Sequence, residues 1–169
     1  MHPEKASVIL EYTLHNARQE AKTTAKVLAA APQAGFAYKP SEKCMDGGTL
    51  AWHIASTEVF FLEGAANGAF GKPMDKPADV ESGEQIAAWY ETHMATALER
   101  LASLTGEEAA RKVDFFGVFQ MPAVAFVTLA TQHAIHHRGQ LSAYIRPMGG
   151  KVPSIYGPSA DDNPFPKKG

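Results

Sequence analysis

The sequence predicts an all-α protein, a four-helix bundle with long connections and a Pro-rich C-terminal tail. Three observations carry that reading. Four stretches place apolar residues at helical spacing, none alternates convincingly as a strand does, and Pro or Gly punctuates the boundaries. A helix buries one apolar stripe, so several such helices become stable by packing their stripes together. The 169 residues suffice for one core of this kind, so residues 1–169 read as a single domain with residues 147–169 packed on the bundle.

The first helix is expected from about Ala6 to Ala31, a run of good helix formers closed by Pro32 and Gly35. The second begins after Asp46, a natural N-cap, and runs to about Ala66 with Gly68 as its stop. Ser82 opens the third, with Gln85 placed to complete a capping box, and Thr105-Gly106 closes it after Leu104. The fourth starts near Pro122, which suits a first helical turn, and ends at Arg146 before Pro147. The connections run to roughly 13 to 17 residues, against about 2 to 8 in most bundles. Loops of that length either cross the bundle or wall a site at its end.

Composition excludes several classes of function. Hydrophobic residues make up 45% and charged residues 20%, a balance that fits neither a disordered chain nor a membrane bundle. No apolar run approaches the ~20 residues of a membrane span. Sixteen Lys and Arg against eighteen Asp and Glu give a net charge of -2, without the basic excess of a nucleic-acid binder. The single cysteine, Cys44, excludes an intramolecular disulfide framework and a multi-cysteine zinc site in one chain. The first sixteen residues carry no secretory h-region, so a cytoplasmic location is expected, with no membrane or nucleic-acid partner.

The placement of histidines is the informative feature. At about 100° per residue, the fourth helix carries an apolar stripe of Ala123, Phe126, Ala130, Ala134, Leu141, Tyr144 and Met148. His133 lies at the edge of that stripe and His137, one turn later, lies within it. On the second helix, His53 shares a face with Leu50, Ile54, Thr57, Phe60, Phe61 and Gly64. Three imidazoles therefore point toward one core, where an unpartnered polar ring is costly. Each is either a core histidine bonded to a carbonyl or hydroxyl, or one of a set of ligands to a divalent cation. The pair is not the H-E-x-x-H motif, because Ala134 stands where the general-base glutamate would be.

Two segments, Leu50-Ala51-Trp52-His53-Ile54-Ala55 and His133-Ala134-Ile135-His136-His137-Arg138-Gly139-Gln140-Leu141, resemble the DinB/YfiT-like family of metalloenzymes. The tail from Lys151 to Asp161 resembles the ending of many members. The resemblance implies up-down-down-up connectivity and, commonly, a homodimer. It also implies one divalent metal ion, zinc or nickel, held by His53, His133 and His137. Some relatives are transferases or isomerases that use a low-molecular-weight thiol. The function it implies is a thiol S-transferase-like activity on a small electrophile; the alternatives are a non-catalytic metal-binding bundle and a metal-dependent hydrolase.

Other polar and aromatic residues carry competing roles. His93 shares the core face of the third helix with Tyr90 and Leu101, and as a fourth ligand it would close the site; the competing role is an ordinary core histidine. His136 points about 100° away from His137 and suits an outer position. Arg138 suits a bond to a neighbouring segment, and Gln140 suits orienting a ligating histidine or a water. Glu58 and Glu63 are expected in solvent. Phe115, Phe116 and Phe119 either line a pocket or pack under a loop, and Cys44 is expected to be a small buried hydrophobe. Ala51, Ala55, Val59 and Leu62 form a second apolar row on the second helix, which either packs centrally or forms a subunit interface. No catalytic side chain is assigned from sequence.

Overall fold

The structure, a computed structural model, describes residues 1–165. Helix α1 spans Pro3–Ala29, with a proline in its first turn where no amide hydrogen is needed. A single 3-10 turn follows at Gln33–Gly35. Helix α2 spans Gly47–Asn67; Asp46 caps it by accepting from the Thr49 amide at 2.8 Å, and Gly68 ends it at φ +74°. Helix α3 spans Gly83–Ala102 behind the Ser82/Gln85 capping box. The starts of α2 and α3 and the stop of α2 fall where the caps place them, whereas α1 starts at Pro3 rather than Ala6 and ends at Ala29, and α3 ends at Ala102.

The segment after α3 departs from expectation. Thr105 does not close a helix; it opens a short one, α4 (Gly106–Ala110), through its own capping box with Glu108. Strands β1 (Lys112–Phe115) and β2 (Phe119–Pro122) then pair antiparallel, with Lys112 opposite Pro122 and Phe115 opposite Phe119. The tight turn between them needs positive φ at both central residues. Gly117 takes +73° at no cost, whereas Phe116 is held at +51°. Asp114 secures the turn by accepting from the Gly117 amide at 2.8 Å. The last helix, α5 (Ala123–Ile145), corresponds to the fourth predicted helix.

The chain is thus mostly helical with one small two-stranded sheet. Among the long helices, α1 packs on α3 and α5, and α2 packs on the same two. The core between them includes Leu28, Leu50, Ile54, Leu62, Ile86, Leu101, Phe126 and Leu141, all essentially inaccessible. Each such side chain contributes about 1.5–3 kcal/mol on burial. Ala51, Ala55, Val59 and Leu62 are also fully buried, so this row is consumed inside the chain. It is the central packing face of α2, and offers nothing to a second copy.

The tail returns along the helices. Asp161 pairs with Arg146 and accepts from the Val152 amide, and the Tyr156 hydroxyl donates to Glu20 of α1 at 2.7 Å. The expectation for the tail extends to residue 169, of which residues 166–169 lie outside the described part. Among the described residues, no helix is long and apolar enough to cross a membrane.

Candidate metal centre

The seam between α2 and α5 brings His53, His133 and His137 together. One nitrogen from each ring lies within 4.8 Å of the others, and all three rings are half-buried. Ring centroids are 4.4 Å apart for His133 and His137, 4.6 Å for His53 and His137, and 5.0 Å for His53 and His133. The periodicity is the cause: a four-residue step on α5 stacks two imidazoles on one face, and the apolar stripes of both helices turn those faces together.

The electrostatics favour neutral rings. Burial, and next the neighbouring His137, holds His53 below the usual imidazole range. His133 is pushed down to about 4, by burial first and then by His137, His53 and His136. Neutral imidazoles keep the lone pairs that ligation requires. Outer contacts differ from ring to ring. His53 Nδ1 lies 3.2 Å from the Thr57 hydroxyl and His137 Nδ1 lies 2.8 Å from Gln140 Oε1. His133 Nδ1 is buried with no hydrogen-bond partner. Three converging imidazoles, one of which also keeps a buried nitrogen that the protein leaves unsatisfied, fit a divalent cation of the zinc or nickel type.

His93 stands apart from this cluster. It stacks on Trp89 with centroids 3.9 Å apart, and its Nδ1 lies 2.7 Å from the Trp89 carbonyl oxygen. A core-side histidine with a backbone partner accounts for it. His136 is exposed on the outer side of α5, within 3.2 Å of Gln140 Nε2. Arg138 does bond a neighbouring segment: it is fully buried, and its guanidinium donates to the Glu20 carbonyl and carboxylate, to Thr24 and to Tyr156.

Glu58 corrects the sequence reading. Instead of facing solvent it is fully buried, accepting from the Tyr90 hydroxyl at 2.6 Å. Burial outweighs the Tyr90 bond and the nearby Arg138, so its carboxyl is pushed up to about 8. The reason is that α2 is packed by both α3 and α5, so an angle of about 140° from His53 still leads into protein. Tyr90 was the available signal, since a hydroxyl on a core face needs a partner. Glu63 is half-buried rather than solvent-facing. Cys44 is half-buried, not sequestered, and bonding to Ser41 and next to Tyr144 holds its thiol below the usual range.

The hairpin delivers an aromatic wall beside the trio. Phe61 meets His133 edge-on at 5.9 Å, and continues through Phe126 and Phe115 to Phe119. Phe116 and Phe119 remain exposed on the hairpin while Phe115 is half-buried. Packing and lining are therefore both present in this group, divided between its members.

Fold and site together define a helical protein with a three-histidine centre on one seam. The sequence profile of the DinB family matches residues 4–166, and the chain belongs to that family. It is 30% identical over 116 residues to the uncharacterized protein YjoA of Bacillus subtilis, covering 68% of this chain and 74% of YjoA. It is 25% identical over 154 residues to the uncharacterized protein YrdA of the same organism, covering 90% and 91% respectively. A DinB-like protein from Bacillus cereus, known from its crystal structure, superposes with a TM-score of 0.73 at 28% identity, covering 86% of this chain and 97% of that one.

Proposed function

We propose that His53, His133 and His137 hold one divalent cation, zinc or nickel, in an up-down-down-up four-helix bundle. We further propose that the protein transfers a low-molecular-weight thiol to a small electrophile. The observation that carries this reading is the convergence of three ring nitrogens within 4.8 Å on a half-buried seam. A divalent cation held there would supply Lewis acidity that favours the thiolate of a bound thiol, whose free pKa is about 8.5, with the proton released to solvent. The three imidazoles would hold the cation without adding a negative charge, since an imidazole, unlike a carboxylate or thiolate, ligates without one. Phe61 covers one flank of His133. The aromatic wall running to the hairpin suits an electrophile with an apolar body.

A hydrolytic reading lacks its base. The fully buried acid of α2, Glu58, turns to Tyr90, and Ala134 occupies the position between the two histidines of α5. Among the described residues, no fourth His, Cys, Asp or Glu joins the cluster, so a cation held by the three rings would keep positions open for a thiol. We assign the protein to the cytoplasm, where small thiols are kept reduced. The family likeness supports a homodimer, checked by sedimentation.

Elemental analysis of protein purified without a His tag tests the site. About one equivalent of zinc or nickel per chain is expected for a single three-histidine site, with nearly complete loss in His137→Ala. Conjugation of bacterial thiols to a fluorogenic bimane electrophile then tests turnover. Saturable, metal-dependent transfer supports the enzyme; bound metal with no transfer across the thiol panel would leave a metal-binding bundle.

A further inference from the structure

We infer that Gln140 is a positioning residue that commits His137 to presenting its Nε2 nitrogen to the site, and that His136 anchors Gln140 in that setting. The inference rests on the metal-binding reading for its purpose, though its physical basis lies in the protein alone. Gln140 follows His137 by three residues and His136 by four, the two spacings at which side chains meet on a helix. Its Oε1 lies 2.8 Å from His137 Nδ1 and its Nε2 lies 3.2 Å from His136 Nε2.

A primary amide accepts at one end and donates at the other, and a neutral imidazole has one donor and one acceptor nitrogen. The two contacts therefore have only two self-consistent settings. In the one present, His137 carries its hydrogen on Nδ1 and donates it to Gln140, which leaves a lone pair on Nε2. His136 accepts the amide N–H at its own Nε2. Rotating the amide by half a turn reverses everything: His137 must accept at Nδ1 and move its hydrogen to Nε2, and His136 must donate. An N–H replaces the lone pair that ligation requires, so only the first setting is competent.

The other two rings have no such control. The Thr57 hydroxyl beside His53 Nδ1 can donate or accept and so selects no tautomer, and His133 Nδ1 has no partner at all. Gln140 is thus the one directional contact to the trio among the described residues. His136, which sits outside the cluster, gains a role: with its Nε2 as acceptor it pairs with the amide N–H and favours the orientation present. Outer partners of this kind typically contribute about 10- to 100-fold in metal affinity.

The first test uses the metal-free protein. Nitrogen-15 NMR of the imidazoles at about pH 8, above the ordinary histidine range, should show His137 with its hydrogen on Nδ1. Gln140→Leu should shift that ring toward the Nε2–H form. Gln140→Glu, an acceptor only, should preserve the Nδ1–H form. The second test is zinc titration against a competing chelator. Gln140→Leu should weaken binding by about 10- to 100-fold, Gln140→Glu should restore it, and His136→Leu should give a smaller loss. Circular dichroism should be unchanged throughout, because both side chains are exposed. An unchanged His137 tautomer in Gln140→Leu overturns the inference, as does failure of Gln140→Glu to rescue zinc binding lost in Gln140→Leu. Should wild-type protein take up no zinc while the tautomers behave as stated, the metal reading falls and the hold of Gln140 on His137 stands.

Discussion

Two polar clusters lie on consecutive residues of α5, and they are built in opposite ways. Around Arg138 every partner is supplied by the protein: the carboxylate of Glu20 at 2.7 Å, its carbonyl, the Thr24 hydroxyl and the Tyr156 ring and hydroxyl. Around His137 the three imidazoles face one another, half-open to solvent, and one buried nitrogen is left without a partner. The first is a closed account of donors and acceptors, as buried polar groups usually are. The second is open at its centre. Adjacent residues on one helix thus separate a closed clamp from an open histidine cluster, and the difference lies in what remains unsatisfied.

That comparison is broken most severely at Arg138. Arg138→Met removes one member of a buried ion pair and leaves Glu20 and Thr24 with unmet polar atoms. A loss of about 3–5 kcal/mol is expected, measured by urea denaturation. A change below about 1 kcal/mol, the worth of a surface pair, would show that the clamp is not structural.

Glu58 is a case between the two, a buried carboxyl with one oxygen paired and the other unpartnered. Its folded pKa is raised to about 8 from 4.5, so the folded state holds a proton that the unfolded state releases. Its contribution to stability is complete below about pH 4.5 and is lost as pH rises through about 8, at up to about 1.4 kcal/mol per unit. Glu58→Gln should flatten this alkaline decline in the unfolding free energy; a parallel curve for the variant would contradict the assignment.

His133 has the opposite sign. Its folded pKa lies at about 4, below the ordinary 6.5, so the unfolded state takes up the proton first. The metal-free protein should lose stability as pH falls from about 6.5 toward 4. The effect is modest because the ring is half-exposed. His133→Phe should reduce the acid sensitivity in that window, as followed by thermal melts at successive pH values. The smallest change is expected at His93, which the ring cluster does not include. His93→Gln should leave metal content at the wild-type value, and loss of metal would place it in the site.

Much of this arrangement is legible in the sequence, for reasons that are local. Asp46, Gly68 and the Ser82/Gln85 pair mark helix ends because capping is decided within one turn. His53, His133 and His137 were assigned to buried faces because a period of 3.6 residues settles a face without knowledge of the neighbour. The segment from 105 to 122 was not legible. Thr105-Gly106 reads as a stop after the apolar run, although Thr105 and Glu108 also spell a second capping box. Strands of four residues are too short to establish an alternation, and Phe116 enters a conformation that a bulky side chain rarely adopts. Glu58 was misplaced because burial of α2 on its far side is a property of the packed molecule, and the angle from His53 does not contain it.

The contact between Glu20 and Arg138 spans 118 positions of the chain, and that between Glu20 and Tyr156 spans 136. Such closures carry a large entropic cost early in folding, and the segments involved must wait for each other. During synthesis, α1 emerges well before the partners of Glu20 exist, and the clamp assembles only after residues through Tyr156 have been released. His137 is the residue immediately before Arg138. Its ring opposite His53 and the Arg138 clamp therefore depend on the same late-synthesised stretch of α5, so the three-histidine cluster cannot be complete before that stretch has been made.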